Sequence, residues 1–144
     1  MGLTIESPNC HAECGCGGFY ELRQKIADLA SPEIGEIYRR FADGLRLPEE
    51  KQKAFYEAYN RDLDSLAERL KKDPVRSKVL YFLYRPNNQG QAGIQTCRAI
   101  WEVIKDYDDD FRYGYAGRPD CMMFSDFKDI VQDCIKTKTP LRWD

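Results

Sequence analysis

Phe55, Tyr59, Leu63, Leu66 and Leu70 follow one another at steps of three and four residues, which draws a single apolar stripe along one face of an α-helix. A strand cannot use that pattern, because its side chains change face at every residue. Leu47-Pro48-Glu49-Glu50 opens the segment with acids that suit the positive helix end, and Lys71-Lys72 closes it at the negative end. The opposite face, of Lys, Glu, Asp and Arg, is a solvated surface.

The same spacing recurs on both sides of this helix. Phe19, Leu22, Ile26 and Leu29 line an earlier one, and Ser31-Pro32 then restarts the chain with an N-cap and a first-turn proline. Ile34, Ile37, Tyr38 and Phe41 give the next face, which ends near Gly44. Asp73-Pro74 repeats the cap-and-proline signal, so VRSKVLYFLY reads as a helix; its β-branched and aromatic residues leave a strand over residues 79–84 as the alternative. Arg85 to Gly90 has the residue types of a loop. Ile94, Cys97, Ile100, Trp101 and Ile104 define a further helix, ending by Asp106, and Phe111 to Pro119 is irregular or weakly extended. Phe124, Phe127, Ile130, Val131 and Cys134 define the last helix, capped at Ser125 or a neighbour. Leu3-Thr4-Ile5 and Pro140-Leu141-Arg142-Trp143 read as short terminal strands, with Ser7-Pro8 and the glycine-rich segment after them as a loop. The expected fold is therefore helix-rich α+β, with five or six helices and a small sheet formed by the chain termini, residues 79–84 being a further candidate strand. No repeat, linker or low-complexity tract divides residues 1–144, so one compact domain is expected.

A chain of 144 residues with 42% hydrophobic and 32% charged residues has the composition of a globular domain, and its length supports a core without metal or disulfides. With 22 Lys+Arg against 24 Asp+Glu there is no broad positive field, which argues against nucleic acid as a partner. The start MGLTIESPNC has neither the basic residues nor the apolar run of a signal peptide, no later stretch has the length of a membrane span, and Glu6 breaks a myristoylation motif at Gly2. A cytoplasmic protein without a membrane partner is the expectation. In that setting the six cysteines are free thiols or metal ligands.

NCHAECGCGG carries Cys10, His11, Cys14 and Cys16 within seven positions of one another. Thiolates and an imidazole are the ligands zinc prefers, and Cys10-x3-Cys14 is a common zinc spacing. A structural zinc site, however, usually draws on two paired ligand sets, and one is visible; a distant cysteine such as Cys121 would have to complete any other combination. Zinc at Cys10, His11, Cys14 and Cys16 is thus the alternative, and no cofactor is the primary expectation. A thiol nucleophile would need a base and an orienting group, which His11 beside Cys10 does not supply, and a Cys-x-x-Cys redox pair is absent. Cys97 and Cys134 lie on apolar helix faces and read as packing. No catalytic residue is assigned.

Asp106-Tyr107-Asp108-Asp109-Asp110 begins like a calcium loop, but Phe111 stands where the turn glycine belongs and Gly117 where the bidentate glutamate belongs, so it reads as a solvated acidic turn. Phe111 to Arg118 then interleaves aromatics, arginines and glycines. Tyrosine and arginine dominate binding hot spots because they supply contact area and hydrogen bonds with little rotamer loss. Arg112, Tyr113, Tyr115 and Arg118 are accordingly the expected partner-binding residues, and the aspartates upstream favour a protein over a phosphate backbone. Asn88 to Gly93 lacks the glycines and the Gly-Lys-Ser/Thr of a phosphate loop.

LYFLYRPNNQGQAGIQTCRAI, followed by FSDFKDIVQDCIKTKTPLRWD, resembles a pattern in small bacterial proteins of unknown function: an apolar segment, a polar loop with Gly, a helix, and a Phe-rich helix before a final strand. The resemblance implies one α+β unit and transfers no functional residue. The functional expectation is a protein-binding module of regulatory, inhibitor or toxin-neutralising type, with a metal or thiol protein working through the cysteine cluster as the alternative and an enzyme without a signature as a further one.

Overall fold

The computed structural model describes residues 2–114 and 118–144. A hairpin of β1 (Gly2–Glu6) and β2 (His11–Gly15) leads into α1 (Cys16–Ala30), α2 (Pro32–Leu45) and the long α3 (Glu49–Arg69). A single 3-10 turn, Leu70–Lys72, reverses the chain into α4 (Pro74–Leu83), followed by β3 (Gly90–Ala92), α5 (Ile94–Ile104), β4 (Arg112–Tyr113), β5 (Met122–Met123), α6 (Phe124–Thr137) and β6 (Leu141–Trp143). The larger sheet has the order β2-β1-β6-β3 and is antiparallel throughout; β4 and β5 form a separate antiparallel pair. The two terminal strands are neighbours, with Ile5 opposite Trp143 and Glu6 opposite Arg142.

Helix boundaries follow their local chemistry. Ser31 caps α2 by accepting from the Ile34 N–H at 3.1 Å, and Asp73 caps α4 by accepting from the Arg76 N–H at 3.1 Å. This second cap, with Pro74 behind it, decides the segment that could have been a strand: residues 79–84 are not in the sheet, and Val79, Leu80, Phe82 and Leu83 are buried at helical spacing. The extra strands are instead β2 and β3, both from segments whose residue types indicate loops. In β3 the cause is visible, since a Cβ on Gly90 would lie 2.5 Å from the Trp143 ring, so glycine lets the strand settle on that ring. At α6 the capping side chain is the neighbour of Ser125: Asp126 accepts from the Met123 N–H at 2.9 Å.

The core lies where α1, α4, α5 and α6 meet the sheet. Leu3 and Ile5 of β1 face it, together with Phe19, Leu22 and Ile26 of α1, Phe82 of α4, Ile100 of α5, Phe127 and Val131 of α6, and Trp143. Trp143 packs its ring against Phe19 and Phe82 at centroid distances of 5.3 and 5.6 Å and donates its indole N–H to the Pro86 carbonyl at 2.9 Å. On α5 the expected Cys97, Ile100 and Ile104 are buried, with Ala99 beside them, and Trp101 is buried only in part. Among the described residues no helix is long and apolar enough to cross a membrane.

Candidate functional site

The cysteine cluster is not a loop. Cys10 ends the β1–β2 turn, His11 to Gly15 form β2, and Cys16 starts α1. Strand alternation sends His11 and Glu13 to the solvent face and Cys14, opposite Leu3, into the core, where it is 1% exposed. His11 and Cys14 are therefore on opposite faces, so the alternative zinc set of Cys10, His11, Cys14 and Cys16 is not brought together. Among the described residues no three His, Cys, Asp or Glu converge as metal ligands. Burial, reinforced by the nearby Cys121 and Cys16 thiols, pushes the Cys14 thiol up from 9.0 to about 12, the behaviour of a packing residue and not of a nucleophile. The glycines have a packing role too: a Cβ on Gly18 would lie 2.5 Å from the Gly114 nitrogen, where the β4 end crosses the first turn of α1.

The acidic run and the Tyr/Arg segment are one folded unit. Asp109 accepts from the Tyr107 hydroxyl at 2.9 Å, the Tyr113 hydroxyl at 2.7 Å and the Phe111 N–H at 3.0 Å. Tyr113 is 3% exposed, so its ring is part of the core and offers a partner no area, contrary to expectation. Burial and the Asp109 carboxylate both push its phenol well above the ordinary range. Arg112 is half-buried and donates to the Cys121 carbonyl at 3.1 Å, tying β4 to the turn before β5. Arg118 is exposed and paired with Asp120 at 2.6 Å. Tyr115 lies outside the described residues. The four expected binding residues thus include one core ring and one arginine committed to the backbone.

A different Tyr/Arg pair stands on an open groove. The 3-10 turn folds α4 back against α3, so that Tyr59 and Tyr84 meet through hydrogen-bonded hydroxyls. Of the 21 residues of α3 only Tyr59 and Leu66 are buried, and between α3 and α4 a groove of about 420 Å³ remains, walled by Leu63, Ala67, Leu80, Tyr81, Tyr84 and Pro86 together with the polar Asp64, Ser77 and Arg85. Tyr81 is 64% exposed, the highest value among the large apolar side chains of the described residues, with Leu45 next. Its ring is held by Arg85, whose guanidinium lies 5.5 Å from the ring centroid and donates to the phenol oxygen at 3.1 Å. Among the described residues Arg85 has no carboxylate partner. The YFLYRP stretch carried this signal, but within an apolar run Tyr81 is indistinguishable from core until the helix face is known.

Compared with known protein families, with characterised proteins and with solved structures, the chain shows no significant match.

Proposed function

We propose that the protein is a protein-binding module and that the α3–α4 groove is its binding face. The observation that carries this reading is the Tyr81–Arg85 pair: an exposed ring in contact with a guanidinium that has no carboxylate partner among the described residues, on a groove lined mainly by apolar side chains. Ring and guanidinium are the side chains that most often concentrate binding energy, and their prior contact lowers the entropy lost on complex formation. The matching partner presents an apolar side chain to Leu63, Leu80 and Tyr84 and a carboxylate to Arg85. Such a surface needs no cofactor and no catalytic group.

The test is affinity capture from the native cell, followed by titration of the captured protein against variants. Tyr81→Ala is expected to weaken the complex by about 1 to 4 kcal/mol, roughly fivefold to nearly a thousandfold, with little change in melting temperature. Arg118→Ala, on the segment first expected to bind, is expected to leave affinity unchanged. The opposite pattern, with Arg118→Ala damaging and Tyr81→Ala silent, moves the face to the 111–118 segment; failure of the wild-type protein to capture any partner removes the reading.

A further inference from the structure

The larger sheet buries one face and leaves the other open. Strand alternation puts Leu3, Ile5, Ala92, Leu141 and Trp143 on the core side, while Glu6, Gln91 and Arg142 are exposed on the opposite side. The register sets these three in one row across β1, β6 and β3, with Arg142 between Glu6 and Gln91. Asp144 and Gln89, each exposed and each two positions from a member of that row, continue the same face, and Arg85 closes it from the α4–β3 loop. Together they line a hollow of about 420 Å³, within the size range of small-ligand sites.

The hollow holds two guanidinium groups and two carboxylates that do not neutralise one another. Among the described residues Glu6, Arg85, Arg142 and Asp144 take part in no ion pair. Glu6 and Arg142 are nevertheless cross-strand neighbours, the position in which opposite charges ordinarily support a sheet. One N–H of the Arg85 guanidinium is engaged, by the Tyr81 hydroxyl at 3.1 Å. A ligand of one sign fits poorly here. An anion drawn by the two arginines meets two carboxylates, and a cation drawn by the carboxylates meets two arginines. A molecule that carries both charges, a residue's length apart, meets a partner for each.

We propose that this hollow binds a zwitterionic dipeptide, with its carboxylate on the guanidinium groups of Arg142 and Arg85 and its ammonium on Glu6 and Asp144. The Gln89 and Gln91 amides, which both donate and accept, serve its peptide group. Cross-strand neighbours such as Glu6 and Arg142 have Cα atoms about 4.5 to 5.5 Å apart, a span that one or two residues of about 3.3 to 3.6 Å each can bridge. Arg85 also lines the α3–α4 groove, so the test leaves it unaltered and reads the hollow through Arg142 and Glu6, which that groove lacks.

The experiment titrates the isotope-labelled full chain with L-alanyl-L-alanine and follows its backbone amides by NMR at constant pH and ionic strength. Propionate, with a carboxylate alone, ethylamine, with an ammonium alone, and inorganic phosphate are titrated in parallel. The expected result is a saturable shift of the Glu6, Gly90, Gln91 and Leu141 to Asp144 amides by the dipeptide, with each comparator weaker by at least about tenfold. Arg142→Gln and Glu6→Gln should each weaken the dipeptide by about tenfold to a hundredfold, the effect of losing a hydrogen bond to a charged group. Arg39→Gln, which removes the remote ion pair with Asp28, should leave it unchanged. No saturable shift, shifts centred elsewhere, a comparator that binds as tightly as the dipeptide, or unaltered affinity in Arg142→Gln or Glu6→Gln overturns the proposal. The ranking of the four probes on the wild-type chain is decisive by itself, so the outcome stands even if a variant fails to fold.

Discussion

Arg23 is a charged side chain 2% exposed in the middle of α1, and among the described residues no carboxylate pairs with it. Its Nη1 donates to the Phe82 carbonyl at 3.2 Å and the Arg85 carbonyl at 2.8 Å, its guanidinium lies 4.3 Å from the Phe19 ring centroid, and its Nε has no partner. The carbonyls at the end of α4, the negative pole of that helix, stand in for a counter-ion. Burial nevertheless pulls the Arg23 pKa down, the sign of an incompletely compensated charge. Arg23→Ala removes both the packing stem and the donor. The void corresponds to about 2 to 5 kcal/mol, as for other long buried side chains, and an unbonded Arg85 carbonyl adds about 1 to 3 kcal/mol. The Phe82 carbonyl keeps the Arg85 N–H at 3.2 Å. Arg23→Met leaves the same carbonyl bare but refills most of the volume and removes the charge, whose desolvation opposes folding, so it should stay within about 2 kcal/mol of wild type. Urea unfolding measures both, with equal m-values required for the comparison. If Met proves as damaging as Ala, the charge-to-carbonyl bonds and not the packing hold α1 to α4, and the reasoning is wrong.

Three further perturbations test other parts of the fold. Phe127→Ala, at 0% exposure, should cost about 3 to 5 kcal/mol, whereas Trp101→Ala on the half-buried flank of α5 should cost about half as much in the same urea assay. Lys138 ends α6 at φ 55°, a left-handed conformation that glycine adopts without strain, so Lys138→Gly should raise stability by about 0.5 to 1 kcal/mol, read from the shift in urea midpoint. Alkaline pH should unfold the protein: burial raises Cys14 from 9.0 to about 12 and Tyr38 and Tyr59 from 10.0 to about 12, so their contribution is complete below pH 9.0 and is lost as pH climbs toward 12 while the unfolded chain deprotonates first. Cys14→Ala should remove the part of that loss that begins at pH 9.0, and a stability flat from pH 8 to pH 11 would refute the burial of these groups.

Periodicity and capping carried most of the helical architecture because both are local. Ser31-Pro32 and Asp73-Pro74 fix two helix starts with side chains that act within a few residues, and the stripe on α6 is buried at every expected position. What local patterns do not encode is what a glycine or a tyrosine meets across the chain. Gly90 is a strand residue because of Trp143, Gly18 is needed because of Gly114, and Tyr113 is a core residue because Asp109 waits for its hydroxyl. The cysteine cluster fails for the same reason. Its dense sulfur and glycine suggested one local site, yet the chain changes from turn to strand to helix within it, and each change sends the next side chain to a different neighbour.

The α3 stripe shows the converse, a pattern visible in the sequence whose meaning depends on what it does not touch. Phe55, Tyr59, Leu63, Leu66 and Leu70 align as periodicity requires, but only Tyr59 and Leu66 are buried, because α4 meets α3 through Tyr84 at one end and the 3-10 turn at the other. Leu63, between those two fixed points, is left on the groove wall. Leu63 is only partly buried against the core, so it forgoes part of the about 1.5 to 3 kcal/mol that full burial of such a side chain contributes. Tyr81 adds a more exposed position on the facing helix, and Arg85 adds a cation that pairs with no carboxylate among the described residues. All three deficits would be relieved together by one partner surface with an apolar centre and a carboxylate at its edge, and this coincidence on a single groove is the physical reason for placing the proposed binding face there.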